Sequence, residues 1–188
     1  MNIWFDITHT PPINAAKVLI KRLASEGNTI YITVLNRGRL VQIVNKELEG
    51  LDNIHISVIG RHRMNKWSVL FEANLLRMIS MYFWSWRKKL DVSFSGSVPC
   101  ALVSRMVGCY PITSVDDPQA ITYHTIAKLG KKTFCTLYEK PDNMVLHPKS
   151  VIIKSLKEWA YIAPSVFTPN VSVLADYAIT PHRYLFVR

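Results

Sequence analysis

The sequence predicts an α/β protein: a doubly wound, mostly parallel sheet of about seven strands with helices on both faces. Three observations carry this. The chain opens on an unbroken apolar run, Met1–Ile7, and a run apolar on both faces reads as a strand buried between helices. Similar runs then alternate with stretches of helical period. Glycines and turn residues separate the two kinds of segment.

Taken in order, the opening strand leads into a loop, Asp6 to Pro12, and then a helix over Asn14–Glu26. That helix places Ala15, Val18, Leu19 and Leu23 at helical spacing and stops at Gly27. Thr29–Leu35 reads as the second strand and Arg37–Leu48 as a helix with Leu40, Val41, Val44 and Leu48 on one side. Ile54–Ile59 is the third strand, ended by Gly60. A long helix spans Lys66–Lys89, and Asp91–Ser95 is the fourth strand. Val98–Val107 is a helix closed by Gly108, and Pro111–Val115 is the fifth strand, ending at Asp116-Asp117-Pro118. Thr133–Leu137 and Val151–Ile153 read as two shorter strands, and Ser165–Ile179 as a loop with a short helix. Arg183–Arg188 begins another apolar strand. It reads either as the start of a second domain or as a final edge strand.

A chain of 188 residues suits one good domain. Apolar residues at 49% and charged ones at 19% fit a globular protein and exclude disorder. Cys100, Cys109 and Cys135 form no CxxC pair and leave an odd count, so they read as small buried thiols in a reducing compartment. Asp6 interrupts the apolar opening and no basic region precedes it, which argues against a signal peptide. The expected location is cytoplasmic, where the Asn170-Val171-Ser172 sequon has no consequence. The net charge is +10, which favours anionic partners. The basic residues sit in separate clusters at Arg37–Arg39, Arg61–Arg63, Arg87–Lys89 and Lys128–Lys132. Such scatter argues against a nucleic-acid groove, which needs a continuous stripe.

The long helix carries Trp67, Leu70, Phe71, Leu75, Met78, Ile79, Tyr82, Phe83 and Trp86 at spacings of three and four. Val69, Leu76 and Trp84 widen the stripe, and Glu72, Asn74 and Arg77 interrupt it, so a bilayer span is excluded. Two readings remain: a helix packed hard on the sheet, or an aromatic face with a basic end that rests on an anionic membrane surface.

In a sheet ordered 3-2-1-4-5, the carboxyl ends of strands one, four and five converge. Three segments should therefore meet: Asp6 to Pro12, Ser95-Gly96-Ser97, and Asp116-Asp117. Each residue has two readings. Ser95, Gly96 and Ser97 open a helix, either as an anion cradle or as an ordinary N-cap. His9 is a general base near neutral pH or a solvated loop histidine. Asp116 and Asp117 hold a sugar hydroxyl, accept a proton, or raise each other's pKa as a like-charge pair; otherwise they mark a turn. Asp6 is expected to order the first loop by accepting backbone N–H bonds, beside Thr8 and Thr10. Arg61 and His62 lie at the same edge and suit an anion. No GxGxxG, GxxxxGK[ST], HExxH or GxSxG occurs, and no Cys/His cluster has zinc spacing, so the sequence calls for no cofactor and no metal.

Five segments together are similar to an uncharacterised family of GT-B glycosyltransferase-like proteins, related to GT-B transferases and UDP-N-acetylglucosamine 2-epimerases. They are Ile3–Pro11, Val58–His62, Phe94–Ser97, Thr113–Asp117 and Leu156–Tyr161. The resemblance implies a Rossmann-like amino-terminal, acceptor-side domain over residues 1–155, then a linker and the start of a second domain over 156–188. It implies a sugar-nucleotide-dependent glycosyltransferase, or an epimerase-like enzyme, of surface polysaccharide synthesis, inactive as this half alone. The site residues expected from the converging strand ends are His9, Asp116 and Asp117 for catalysis, with Asp6, Thr8, Thr10, Arg61, His62, Ser95, Gly96 and Ser97 for binding. At two positions of the first loop the chain departs from the family, which has Asn in place of His9 and His in place of Pro12. The implied partners are a sugar or glycan acceptor and, with a second domain, a nucleotide-sugar donor. The positive charge and the Trp-rich helix with its basic end add the expectation of peripheral contact at the inner membrane face. The alternative is a non-catalytic Rossmann-like module that binds a partner or an anionic membrane.

Overall fold

The computed structural model describes residues 1–62, 74–137, 139–140 and 142–180. Seven parallel strands form one sheet in the order β3-β2-β1-β4-β5-β6-β7. They are β1 (Asn2–Ile7), β2 (Thr29–Asn36), β3 (Ile54–Arg61), β4 (Val92–Ser95), β5 (Tyr110–Val115), β6 (Lys132–Thr136) and β7 (Ser150–Ile153). Seven helices occur among the described residues: α1 (Thr10–Ser25), α2 (Leu40–Glu47), α3 (Arg77–Ser85), α4 (Val98–Met106), α5 (Tyr123–Leu129), α6 (Trp159–Ile162) and α7 (Val173–Asp176). The expected fold class and central strand order are those observed.

Side-chain alternation divides the sheet into two faces. Ile3, Phe5 and Ile7 share one face with Ile30, Ile32 and Val34, and all pack on α1 and α2. Trp4 lies on the opposite face with Met81 of α3 and Cys100 and Val103 of α4. The register Phe5↔Phe94↔Ile112 carries the first face on into β4 and β5. There the cover is partial, and Phe94, Ile112 and Phe134 are only half-buried. The second face is closed by α4 and α5 over small residues: the Ser104 hydroxyl donates to Ser93 Oγ at 2.7 Å, and Thr113 and Thr133 hydroxyls pair at 2.8 Å. The three cysteines are all free and buried. Burial raises each thiol pKa, that of Cys109 to about 11.

Three sequence expectations need correction. First, α1 begins at Thr10 rather than Asn14, so the first loop is only Thr8-His9. Pro11 and Pro12 sit in the first turn, where a missing N–H costs nothing and the fixed φ suits the helix. Second, α2 starts at Leu40, because Arg37–Arg39 form a turn around Gly38 at φ +52. Third, the described part of the long helix divides its apolar stripe: Met78, Tyr82 and Trp84 pack on the core beneath the sheet, and the rest turns outward. Trp67, Leu70, Phe71, Val69 and Glu72 lie outside the described residues. From Arg77 to Ser85 the buried face is Arg77, Met81 and Ser85. Leu75, Leu76, Ile79, Phe83 and Trp86 point outward. The helix ends at Ser85, with Lys89 in the left-handed region at φ +46. The expected strand Arg183–Arg188 also lies outside the described residues.

Candidate functional site

Because β1 and β4 are neighbours whose connections leave in opposite directions, a crevice opens above their carboxyl ends. A cavity of about 580 Å³ occupies it, a size typical of small-molecule sites. Its floor is the partly covered sheet face, with Phe5, Phe94 and Phe134. Leu19 of α1 walls one side, and Leu156 and Trp159 wall the other. The polar groups stand at the rim: His9, Asp116, Asp117 and Lys157. Gly96 lies where β4 turns into α4, and any Cβ there would sit 2.9 Å from the Ser114 carbonyl oxygen. The exit from β4 therefore packs directly on the β5 backbone, which leaves the crevice open above it.

Asp6 lies at the base of this cavity, with its carboxylate buried. Its partners are side chains, not the expected backbone N–H groups. Arg77 grips it with both terminal nitrogens, Nη2 on Oδ1 and Nη1 on Oδ2. Thr33 Oγ1 donates to Oδ1 at 2.7 Å, and Ser97 Oγ donates to Oδ2 at 2.6 Å. Ser95 Oγ donates to Oδ2 at 3.3 Å, and Trp4 Nε1 in turn donates to Thr33 Oγ1 at 2.8 Å. One carboxylate thus ties β1, β2, β4, α3 and the start of α4 together. It is the joint under the site, with no lone pair turned to a ligand.

Ser97 is the N-cap of α4 and accepts from Cys100 N at 3.3 Å. Ser97 N is itself bonded to Ser95 Oγ at 2.9 Å, and Pro99 has no N–H. The N-cap reading therefore accounts for this segment, and few donors remain there for an anion. Asp117 Oδ1 accepts from Gln119 N at 2.9 Å, the turn role. Asp116 instead forms an exposed ion pair with Lys157. The two carboxylates thus have separate partners.

His9 stands exposed at the rim, next to Thr8 Oγ1 at 2.9 Å from Nδ1. When Nδ1–H donates to Thr8, Nε2 is free to take a proton. Desolvation at the cavity mouth lowers its pKa below the usual 6.5, the Arg37 guanidinium lowers it further, Asp116 opposes this, and Lys157 adds a smaller lowering. His9 is thus held neutral near pH 7, the form a base requires. The expected result of Arg37→Ala is a rise in the His9 pKa, and of Asp116→Asn a fall. An NMR titration of the His9 ring checks both, and shifts in the reverse directions would overturn this electrostatic account.

Thr10 is the first residue of α1 and lines a smaller nook with Arg37 and Arg39. Arg61 and His62 end β3 at the same sheet edge, but two strands away from β1, and they do not line the main cavity. Sequence reasoning missed Lys157 and Trp159, which the segment after β7 carries back to the rim. Only the resemblance over Leu156–Tyr161 pointed to that stretch.

No family model matches the chain, and no curated protein does. Solved structures do. MurG of Acinetobacter baumannii superposes with a TM-score of 0.57 at 15% identity, over 82% of this chain and 45% of MurG. The fold is GT-B-like. A UDP-N-acetylglucosamine 2-epimerase superposes with a TM-score of 0.54 at 13% identity, over 72% of this chain and 41% of the epimerase. This GT-B-like chain spans less than half the length of either neighbour. At such identities the likeness is one of architecture. Among the described residues no group of carboxylates, histidines and cysteines could hold a metal ion.

Proposed function

We propose that this chain is the acceptor-side half of a GT-B-like, sugar-nucleotide-dependent glycosyltransferase of surface polysaccharide synthesis. Residues 1–155 form its Rossmann-like domain and 156–188 lead into a second domain that supplies most of the donor site. The observation that carries this is the cavity at the switch point, with its apolar floor and its polar rim of His9, Asp116 and Lys157. Such a slot suits an amphiphilic acceptor, and a lipid-phosphate-linked sugar is the class that its floor and the +10 charge favour. In this reading neutral His9 takes the proton from the attacking acceptor hydroxyl. The Asp116–Lys157 pair orients the sugar, with Asp116 accepting a hydrogen bond from a sugar hydroxyl and Lys157 facing the leaving phosphate. An epimerase-like activity on a UDP-sugar is the nearest variant, supported by the likeness of fold to a UDP-N-acetylglucosamine 2-epimerase.

The test uses the chain joined to a second GT-B domain and supplied with UDP-N-acetylglucosamine. The chain alone is expected to show no turnover, and the joined protein to show it. His9→Ala should then lower kcat/KM about 100- to 10,000-fold, the range of a general base. With pH, wild-type kcat/KM should rise through a pKa below 6.5, because protonated His9 cannot accept a proton. Unchanged turnover in both His9→Ala and Asp116→Asn would remove these residues from the mechanism. A joined protein that stays folded and indifferent to UDP-sugars would favour the non-catalytic module instead.

A further inference from the structure

The outward face of α3 has no counterpart in the cavity chemistry. Phe83 and Trp86 are 63% and 64% exposed, and Leu76 and Ile79 are 54% and 43% exposed. Ile79, Phe83 and Trp86 recur at helical spacing, so they lie on one side of the helix. Phe83 and Trp86 are in ring contact, with centroids 6.5 Å apart, and Tyr82 stacks beside Trp86 at 6.0 Å. Exposed aromatic residues clustered in this way are uncommon on a surface that meets only water.

The charge within the described helix and its carboxyl end is basic, with Asp91 the first acid after it. From Asn74 to Leu90 there is no Asp or Glu, while Arg87, Lys88 and Lys89 follow directly after the aromatic residues. Arg77 is spent on Asp6, so the free charge lies at the carboxyl end. Lys88 Nζ lies over the Tyr31 and Trp84 rings, 5.6 and 4.9 Å from their centroids, which holds that cation against the sheet side of the helix. Arg87 and Lys89 are exposed.

We propose that this face of α3 is a docking surface for an anionic lipid bilayer, with Ile79, Phe83 and Trp86 entering the headgroup region and Arg87 and Lys89 contacting lipid phosphates. Apolar and aromatic residues beside basic ones, with no acidic residue between, are what such an interface requires. No described helix is long and apolar enough to cross a membrane, so the contact is interfacial. This surface lies on the helix side of the sheet opposite the cavity floor, and the inference does not depend on the sugar-transfer reading.

The experiment is co-sedimentation of the full chain with vesicles of phosphatidylcholine alone and of phosphatidylcholine mixed with phosphatidylglycerol. The expected result is binding to the mixed vesicles only, lost at high salt. Phe83→Ser with Trp86→Ser, and separately Arg87→Glu with Lys89→Glu, should each weaken binding about tenfold or more. Far-UV circular dichroism confirms that both variants remain folded, as their side chains are exposed. A blue shift of tryptophan emission on binding that Trp86→Phe abolishes would place Trp86 itself in the bilayer. Equal binding to both vesicle types, no binding to either, or wild-type binding by both double variants would overturn the proposal. So would a dimer in light scattering that the Phe83/Trp86 variant dissociates without any effect on vesicles, which would assign the face to a second copy.

Discussion

Arg77→Met should lower the stability of the chain by about 3–5 kcal/mol, the usual loss when one partner of a buried ion pair is removed. The methionine fills much of the volume, so the cost is electrostatic rather than a cavity. The Asp6 carboxylate would remain fully buried, held only by the hydroxyls of Thr33, Ser95 and Ser97. The Ile59 carbonyl oxygen, which accepts from Arg77 Nε at 3.0 Å, would lose its donor as well. Urea unfolding measures the loss as a shift in midpoint at constant slope. Asp6→Asn combined with Arg77→Met should cost less than the two single losses added, because it leaves no uncompensated charge. A loss below about 1 kcal/mol for Arg77→Met would show that water reaches Asp6 and that the joint is not sealed.

That pair also shows where sequence reading stops. Asp6 is conspicuous as an acid at the end of an apolar strand, and its strand position follows from the pattern. Arg77 reads as an interruption of an apolar helix, since a charge on a helix ordinarily marks its wet face. Only the fold brings the two together, across 71 positions of sequence. The same limit explains the apolar stripe on α3. Periodicity reveals that one side of a helix is apolar, but not whether a sheet covers it. Here Arg77, Met81 and Ser85 are buried against the sheet with Met78, Tyr82 and Trp84 packed beside them, and Ile79, Phe83 and Trp86 are left outside. By contrast, β1 to β5 and their order were legible, because each strand is a short apolar run closed by turn residues.

The rim was legible in the same proportion. His9, Gly96 and Asp116 follow from the rule that loops after adjacent parallel strands converge, and all three line one cavity. Lys157 was not legible, because the segment that carries it returns to the rim after β7. No local pattern specifies that return. Pro11 and Pro12 misled the reading of the first loop for a related reason. Proline breaks a helix interior but fits its first turn, and the residue type alone does not say which applies.

Gly60→Ala is the sharpest probe of how tightly this joint is packed, with an expected loss of about 2–4 kcal/mol. Two separate costs contribute. Gly60 sits at φ +81, a region that costs an L-residue with a Cβ about 1–2 kcal/mol. Its Cβ would also lie 2.8 Å from Arg77 Cδ and 2.9 Å from Arg77 Cγ. Those atoms cannot simply swing aside, because the guanidinium beyond them is fixed on Asp6 and Ile59. Overpacking of this kind costs about 1–3 kcal/mol. In an Arg77→Ala background both atoms are gone, and only Arg77 Cβ, at 3.2 Å, remains near. Gly60→Ala should then cost only its backbone strain. The double variant is therefore expected to be more stable than the sum of the singles predicts, by about 1–2 kcal/mol. Additivity within about 0.5 kcal/mol would mean that Gly60 matters for its dihedral angle alone. The coupling, if measured, shows that β3 makes room for α3 through this one missing side chain, and so lets Arg77 reach beneath the site.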